Sequence, residues 1–137
     1  MAHLSYVNVF ASDVVALSGF YQRVFGFDEV EAIRSPIFRG IDAGHTCIGF
    51  NAHDAYGLLH LDEYADTRGI KFLLNFDVDT QADVDRLVPV AQQSGATLVK
   101  APYVTYYNWY QAVLLDPEGN VFRINHVIEQ ARRSHVQ

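Results

Sequence analysis

Hydrophobic and polar positions along the first 26 residues change period once, and that change divides the segment into elements. From Tyr6 to Ala11, Val7, Val9 and Ala11 form a uniform apolar set while Tyr6, Asn8 and Phe10 form a mixed one, which predicts a strand with two different neighbours. Ser12 and Asp13 then offer side-chain oxygens to free backbone amides, and Val14, Leu17, Phe20, Tyr21, Val24 and Phe25 recur at helical spacing. This predicts a capped helix ending near Gly26. Phe27–Ile33, Ile37–Asp42 and Thr46–Asn51 are short β-prone stretches separated by Ser35-Pro36 and Ala43-Gly44, and predict three further strands.

The second half begins the same way. Leu74, Phe76 and Val78 share one face of a predicted strand, and Leu73, Asn75 and Asp77 the other. Asp79 and Thr80 cap a helical stripe of Val84, Leu87, Val88, Ala91 and Gln92 that stops before Gly95. Pro89 removes one backbone donor there, so a kink or an early end is expected. Ala96–Lys100, Trp109–Leu115 and Asn120–His126 predict strands, the last two joined by the tight-turn tetrad Asp116-Pro117-Glu118-Gly119. Placing Tyr6 over Leu73 superposes Asn8 on Asn75 and the first cap on the second, and placing Gly49 over Arg123 superposes Asn51 on Asn125. A strand, a helix and three strands therefore occur twice.

Composition narrows what such a repeat can do. With 137 residues, half of them apolar and 19% charged, the chain is expected to form a single domain over 1–137: module one at about 4–51, a connector at about 52–70, module two at about 71–126 and a polar tail, helical or not, over 127–137. A net charge of -6 offers no broad cationic surface, so nucleic acid is not an expected partner. No apolar run reaches the roughly 20 residues of a membrane helix, and the segment from Met1 to Ser5 has no leader pattern, so no membrane association and a cytoplasmic location are expected. Cys47 is the only cysteine, which excludes an intrachain disulfide and fits a reducing compartment. Six histidines raise the question of a metal, but His45, His53, His60, His126, His3 and His135 include no pair four apart on a helix or two apart on a strand. By parity His126 faces away from Arg123, and His60, within Leu58-Leu59-His60-Leu61, is the histidine to consider first as a general base.

Two stretches resemble the vicinal oxygen chelate superfamily of glyoxalase I, extradiol dioxygenases, fosfomycin-resistance enzymes and bleomycin-resistance proteins. They are Val7-Asn8-Val9-Phe10-Ala11-Ser12-Asp13 with Phe20-Tyr21-Gln22-Arg23-Val24-Phe25-Gly26-Phe27, and Asp116-Pro117-Glu118-Gly119-Asn120 with Val121-Phe122. The similarity covers about residues 4–126. It implies an α+β fold of two paired βαβββ modules forming half-barrels around a cleft, completed in a homodimer. The family's metal enzymes place a His, Gln or Glu on the first and last strand of each module. Position by position, this sequence has Tyr6, Gly49, Leu73 and Arg123 there, of which only Tyr6 could bind a metal.

Parity within the predicted strands then gives the cleft-facing candidates. Tyr6, Asn8, Asn51, Asn75, Arg123 and Asn125 are the polar members, offering amide donors and acceptors and one permanent charge. The asparagines either serve a ligand or satisfy one another or water, and Arg123 either clamps a carboxylate or phosphate or pairs with Asp77. Tyr103–Tyr110 holds five of the chain's 18 aromatics, too dense a cluster to ignore. As a hairpin entering the penultimate strand it adds Tyr107 and Trp109 to the candidates, although a dimer interface or core packing would also use such residues. Three functions follow as expectations. The first is a metal-free protein, without cofactor, that binds and sequesters a small organic molecule. The second is a lyase, isomerase or dioxygenase of the same superfamily, with or without a divalent metal, in which Tyr6 or His60 handles protons and Arg123 an oxyanion. The third is a non-catalytic oligomerisation or sensory module with a filled cleft.

Overall fold

A computed structural model describes residues 2–66 and 68–128, so the predicted tail from residue 129 onward lies outside the described residues. The chain divides into two compact units, residues 1–69 and 70–137. Among the described residues no helix is long and apolar enough to cross a membrane.

The first unit contains β1 (Tyr6–Ala11), α1 (Val14–Phe25), β2 (Asp28–Glu29), β3 (Phe38–Asp42), β4 (Cys47–Ala52) and a short α2 (Asp54–Leu58). Its sheet runs β1-β4-β3-β2, with β1 parallel to β4 and the other pairs antiparallel. Asp13 starts α1 by accepting the amide of Ala16, and Gly26, at φ 74, ends it. The helix stripe of Leu17, Phe20, Tyr21 and Val24 is buried, as are Val9, Ala11, Ile41, Ile48 and Phe50 of the sheet. The ring of Tyr21 stacks on that of Phe50, so the helix covers the face carrying these residues. Each of the larger aliphatic and phenylalanine side chains among them contributes about 1.5–3 kcal/mol by leaving water.

The second unit repeats the plan with β5 (Leu73–Asp77), α3 (Gln81–Gln93), β6 (Thr97–Val104), β7 (Trp109–Leu115) and β8 (Val121–Val127), in the order β5-β8-β7-β6. Thr80 caps α3 through the amide of Asp83. Val84, Leu87, Val88 and Ala91 are buried, together with Ala112, Leu114, Phe122 and Ile124 of the sheet. The turn into β8 is closed by Asp116, whose carboxylate accepts the backbone amides of Glu118 and Asn120, with Gly119 at φ 86. The α+β architecture of two βαβββ units is thus as the sequence predicts.

Four local expectations need correction. Phe27–Ile33 is not one strand: only Asp28–Glu29 pairs, and Glu31–Ile33 forms a 3-10 turn. Arg34 donates Nε and Nη2 to the two carboxylate oxygens of Glu29 at 2.7 and 2.6 Å, folding the segment back on itself. The strand expected to stop at Lys100 continues to Val104, and its register against β7 shifts around Lys100 and again before Tyr103, where Pro102 interrupts the ladder of an edge strand. Of the kink or early end expected at Pro89, the early end does not occur, since helix α3 runs on to Gln93; Pro89 is exposed, so the backbone acceptor it leaves is on the solvent side. The last strand takes in Val127.

Candidate functional site

In each unit the helix covers one face of the sheet, and the other face carries the residues singled out by parity. In the first unit β1 and β4 lie in register with Asn8 opposite Gly49 and Phe10 opposite Asn51. In the second, Asn75 lies opposite Arg123 and Asp77 opposite Asn125. The superposition of Asn8 on Asn75 and of Gly49 on Arg123 therefore holds as hydrogen-bonding register and not only as spacing.

On the first unit's open face Asn8 donates its amide to Asn51 Oδ1 at 2.8 Å. Phe10 stacks on Tyr56 with centroids 4.1 Å apart, and Tyr6 tilts against Phe38 at 6.5 Å. Two glycines, Gly40 and Gly49, lie opposite one another in the sheet. A Cβ at Gly49 would approach Asn8 Oδ1 to 2.6 Å and Phe38 Cε1 to 2.8 Å, so the space that a longer side chain would use is already filled. Burial first, then the Cys47 thiol, pushes the Tyr6 hydroxyl above the ordinary phenol range, and it is protonated at neutral pH.

The second unit's open face holds a closed circuit of side chains. Arg123 donates Nε to Asn75 Oδ1 at 2.7 Å and Nη1 to the Tyr107 hydroxyl at 3.3 Å. Tyr107 donates to Gln111 Oε1 at 3.3 Å, Gln111 donates to Asn125 Oδ1 at 2.9 Å, and Asn125 donates back to Asn75 Oδ1 at 3.1 Å and more weakly to Asp77 at 3.4 Å. Tyr103 adds a second hydroxyl to Gln111 Oε1 at 3.2 Å. Gln111 and Asn125 are buried, at 1% and 0% exposure, and their amide groups have partners within the circuit. Two donors converge on Asn75 Oδ1, which fixes that amide's orientation. Trp109 meets Tyr107 edge to face at 5.2 Å, and Tyr107 meets the fully exposed Tyr106 in the same manner at 4.9 Å.

Of the eight candidates, Asn75, Tyr107, Arg123 and Asn125 are in this circuit and Trp109 packs on it, while Tyr6, Asn8 and Asn51 belong to the first unit's open face. The asparagines do satisfy one another, as one of the two readings anticipated, in the pairs Asn8–Asn51 and Asn125–Asn75. The alternative pairing of Arg123 with Asp77 is not formed: among the described residues Arg123 has no carboxylate within ion-pair distance. Sequence reading missed Gln111, and took in Tyr103 only as part of the aromatic run 103–110. Gln111 is the one polar side chain among Ala112, Val113 and Leu114, but that it faces Asn125 is set by the β7–β8 register. His60 is exposed at φ 57, and His126 turns Nδ1 toward the Val78 carbonyl at 3.2 Å, away from Arg123.

A metal ion does not fit the positions that the resemblance assigns to it. Gly49 and Leu73 supply no donor and Arg123 is a permanent cation, so Tyr6 is left as a lone phenol where the family uses a set of His, Gln or Glu. Among the described residues there is no group of three or more His, Cys, Asp or Glu able to hold one.

Comparison with known proteins agrees with this architecture. No curated protein matches the chain in sequence. The crystal structure of a glyoxalase/bleomycin resistance protein/dioxygenase family enzyme from Burkholderia phytofirmans PsJN is 70% identical over 93% of this chain and all of that one, with a TM-score of 0.91. A glyoxalase-related enzyme from Fulvimarina pelagi (16% identity, TM-score 0.81, 92% of this chain and 88% of that one) and a lactoylglutathione lyase from Agrobacterium tumefaciens (18%, 0.68, 92% and 94%) share the fold. The doubled βαβββ plan is matched in sequence by a family profile spanning residues 3–124, and the chain belongs to the Glyoxalase/Bleomycin resistance protein/Dioxygenase superfamily.

Proposed function

We propose that this protein is a metal-free member of the superfamily that binds and sequesters a small organic molecule on the open face of its second sheet. The observation that carries the reading is the side-chain circuit around Arg123. Two buried amides, Gln111 and Asn125, anchor Tyr107 and the exposed Asn75, and these two accept from a guanidinium that has no carboxylate partner among the described residues. A preorganised cation on a face walled by tyrosines and a tryptophan is a recognition surface, since its orientation is fixed before a ligand arrives.

The test has two parts. Protein purified without chelator should contain less than stoichiometric zinc, iron, manganese or nickel by elemental analysis; a stoichiometric metal whose removal abolished an activity would overturn the metal-free reading. Thermal-shift screening against neutral, cationic and anionic small molecules should yield binders whose stabilisation is lost in Arg123→Met and Asn125→Leu. Binding that ignored both substitutions, or no binding at all, would sink the assignment to this face.

The 70% identity to a protein described as a family enzyme favours a second reading, catalysis with Arg123 stabilising a developing oxyanion and Tyr6 or His60 handling protons. In that case Arg123→Ala lowers kcat far more than it raises KM, whereas a binder shows no turnover to lose.

A further inference from the structure

Resting on the small-molecule reading above, we infer that this face takes a planar aromatic carboxylate, with the carboxylate at Arg123 and the ring over Val113. Strand register places Asn75, Arg123, Val113 and Lys100 in one row across β5, β8, β7 and β6. The row thus has a cation on each side of an apolar floor. Lys100 Nζ lies 3.8 Å from the centre of the Tyr103 ring, and neither it nor Arg123 meets a carboxylate among the described residues. Two cations in one row give the face a local positive charge in a chain with 16 acidic and 10 basic side chains.

The direction of the hydrogen bonds sets the ligand's polarity. Most of the amide acceptors are used inside the circuit: Gln111 Oε1 takes two hydroxyls, Asn125 Oδ1 takes Gln111, and Asn75 Oδ1 takes both Arg123 and Asn125. Donors are left over. Three of the five guanidinium N–H groups of Arg123 have no partner among the described residues, both hydrogens of Nη2 among them, and the amide nitrogen of Asn75 is likewise open. A planar pair of acceptor oxygens matches such a fork. The carboxylate of Asp77 lies one row along, two residues down β5, and repels an anion from that end, so the ligand's charge belongs at Arg123. Tyr103 and Tyr107, both tied to Gln111, and Trp109 against Tyr107 form a wall of ring faces and edges that favours a flat apolar body.

Trp109 is the only tryptophan, so its emission reports on this face directly. Titration of the full chain with benzoate should give a saturable change in that emission, confirmed by calorimetry. Benzamide, which lacks the charge, and cyclohexanecarboxylate, which lacks the flat ring, should bind at least about tenfold more weakly. Arg123→Met should weaken benzoate about tenfold or more and leave benzamide unchanged, Arg123→Lys should fall between, and added salt should weaken benzoate in the unaltered protein. The salt series needs no variant and guards against a misfolded Arg123→Met. Absence of benzoate binding, equal affinity for benzamide, or a salt-independent benzoate affinity overturns the inference. Failure of this kind, with other compounds still bound in an Arg123-dependent way, leaves the binding face intact and removes only the ligand class.

Discussion

At the level of single residues, Gly49 shows how far sequence reaches and where it stops. Its lack of a donor follows from its identity, but that the space above it is filled by Asn8 and Phe38 follows only from the packing. Gly49→Ala should therefore destabilise the protein by about 1–3 kcal/mol, the range for an overpacked site. Asn8→Ala in the same chain should recover part of the loss by removing the nearest atom, as read by urea unfolding. If the single variant is as stable as the parent, the contact is soft and the glycine is not required. Arg123 is the complementary case. Its place after a firm turn was legible from Asp116 to Asn120, whereas its partners, Asn75 48 residues away and Tyr107 16 residues away, came from strand pairing and the hairpin.

Among the elements, helices were the most legible because caps and apolar stripes are local. Asp13 and Thr80 stand where the capping pattern put them, and Asp13→Ala should cost about 1 kcal/mol by freeing the Ala16 amide. Strand ends were less legible: the reach of β6 to Val104 and the brevity of β2 depend on an edge position and on the Glu29–Arg34 pair. Helix α3 is tied to β7 by Tyr110, whose hydroxyl donates to Asp85 at 2.6 Å. That bond, more than burial, holds the Tyr110 hydroxyl above the usual phenol range. A raised folded value means that the protonated phenol is favoured by folding. The contribution is complete below the unfolded value near pH 10 and is lost as pH rises through the folded value. Tyr110→Phe should cost about 1 kcal/mol at neutral pH. Denaturation midpoints followed upward from pH 8 should bring the two proteins together only above about pH 10. A gap that stays constant across that range would show that the bond is not what stabilises the unit.

For the molecule as a whole, we expect a homodimer. The resemblance implies it, and Ile70, Phe72 and Leu73 are exposed large apolar side chains leading into β5, an edge strand. Native mass spectrometry should give a dimer, and Phe72→Glu should weaken it by more than about 1 kcal/mol, as for a buried interface residue; a monomer at micromolar concentration would contradict the expectation. Residue identity and local spacing were enough to give the doubled strand-helix-strand plan, the caps, the closing turn and the lack of a side-chain metal donor at Gly49, Leu73 and Arg123. Those features depend on residue identity and on periods of two and 3.6, which are properties of neighbours in the chain. Only the folded chain ties Gln111 and the Tyr103 hydroxyl into the candidate site, leaves Asp77 outside ion-pair distance of Arg123 and puts Lys100 in the same row. Each of those facts is a register between strands distant in sequence. A shift of one residue would turn the same side chains to the opposite face, and no local pattern records it.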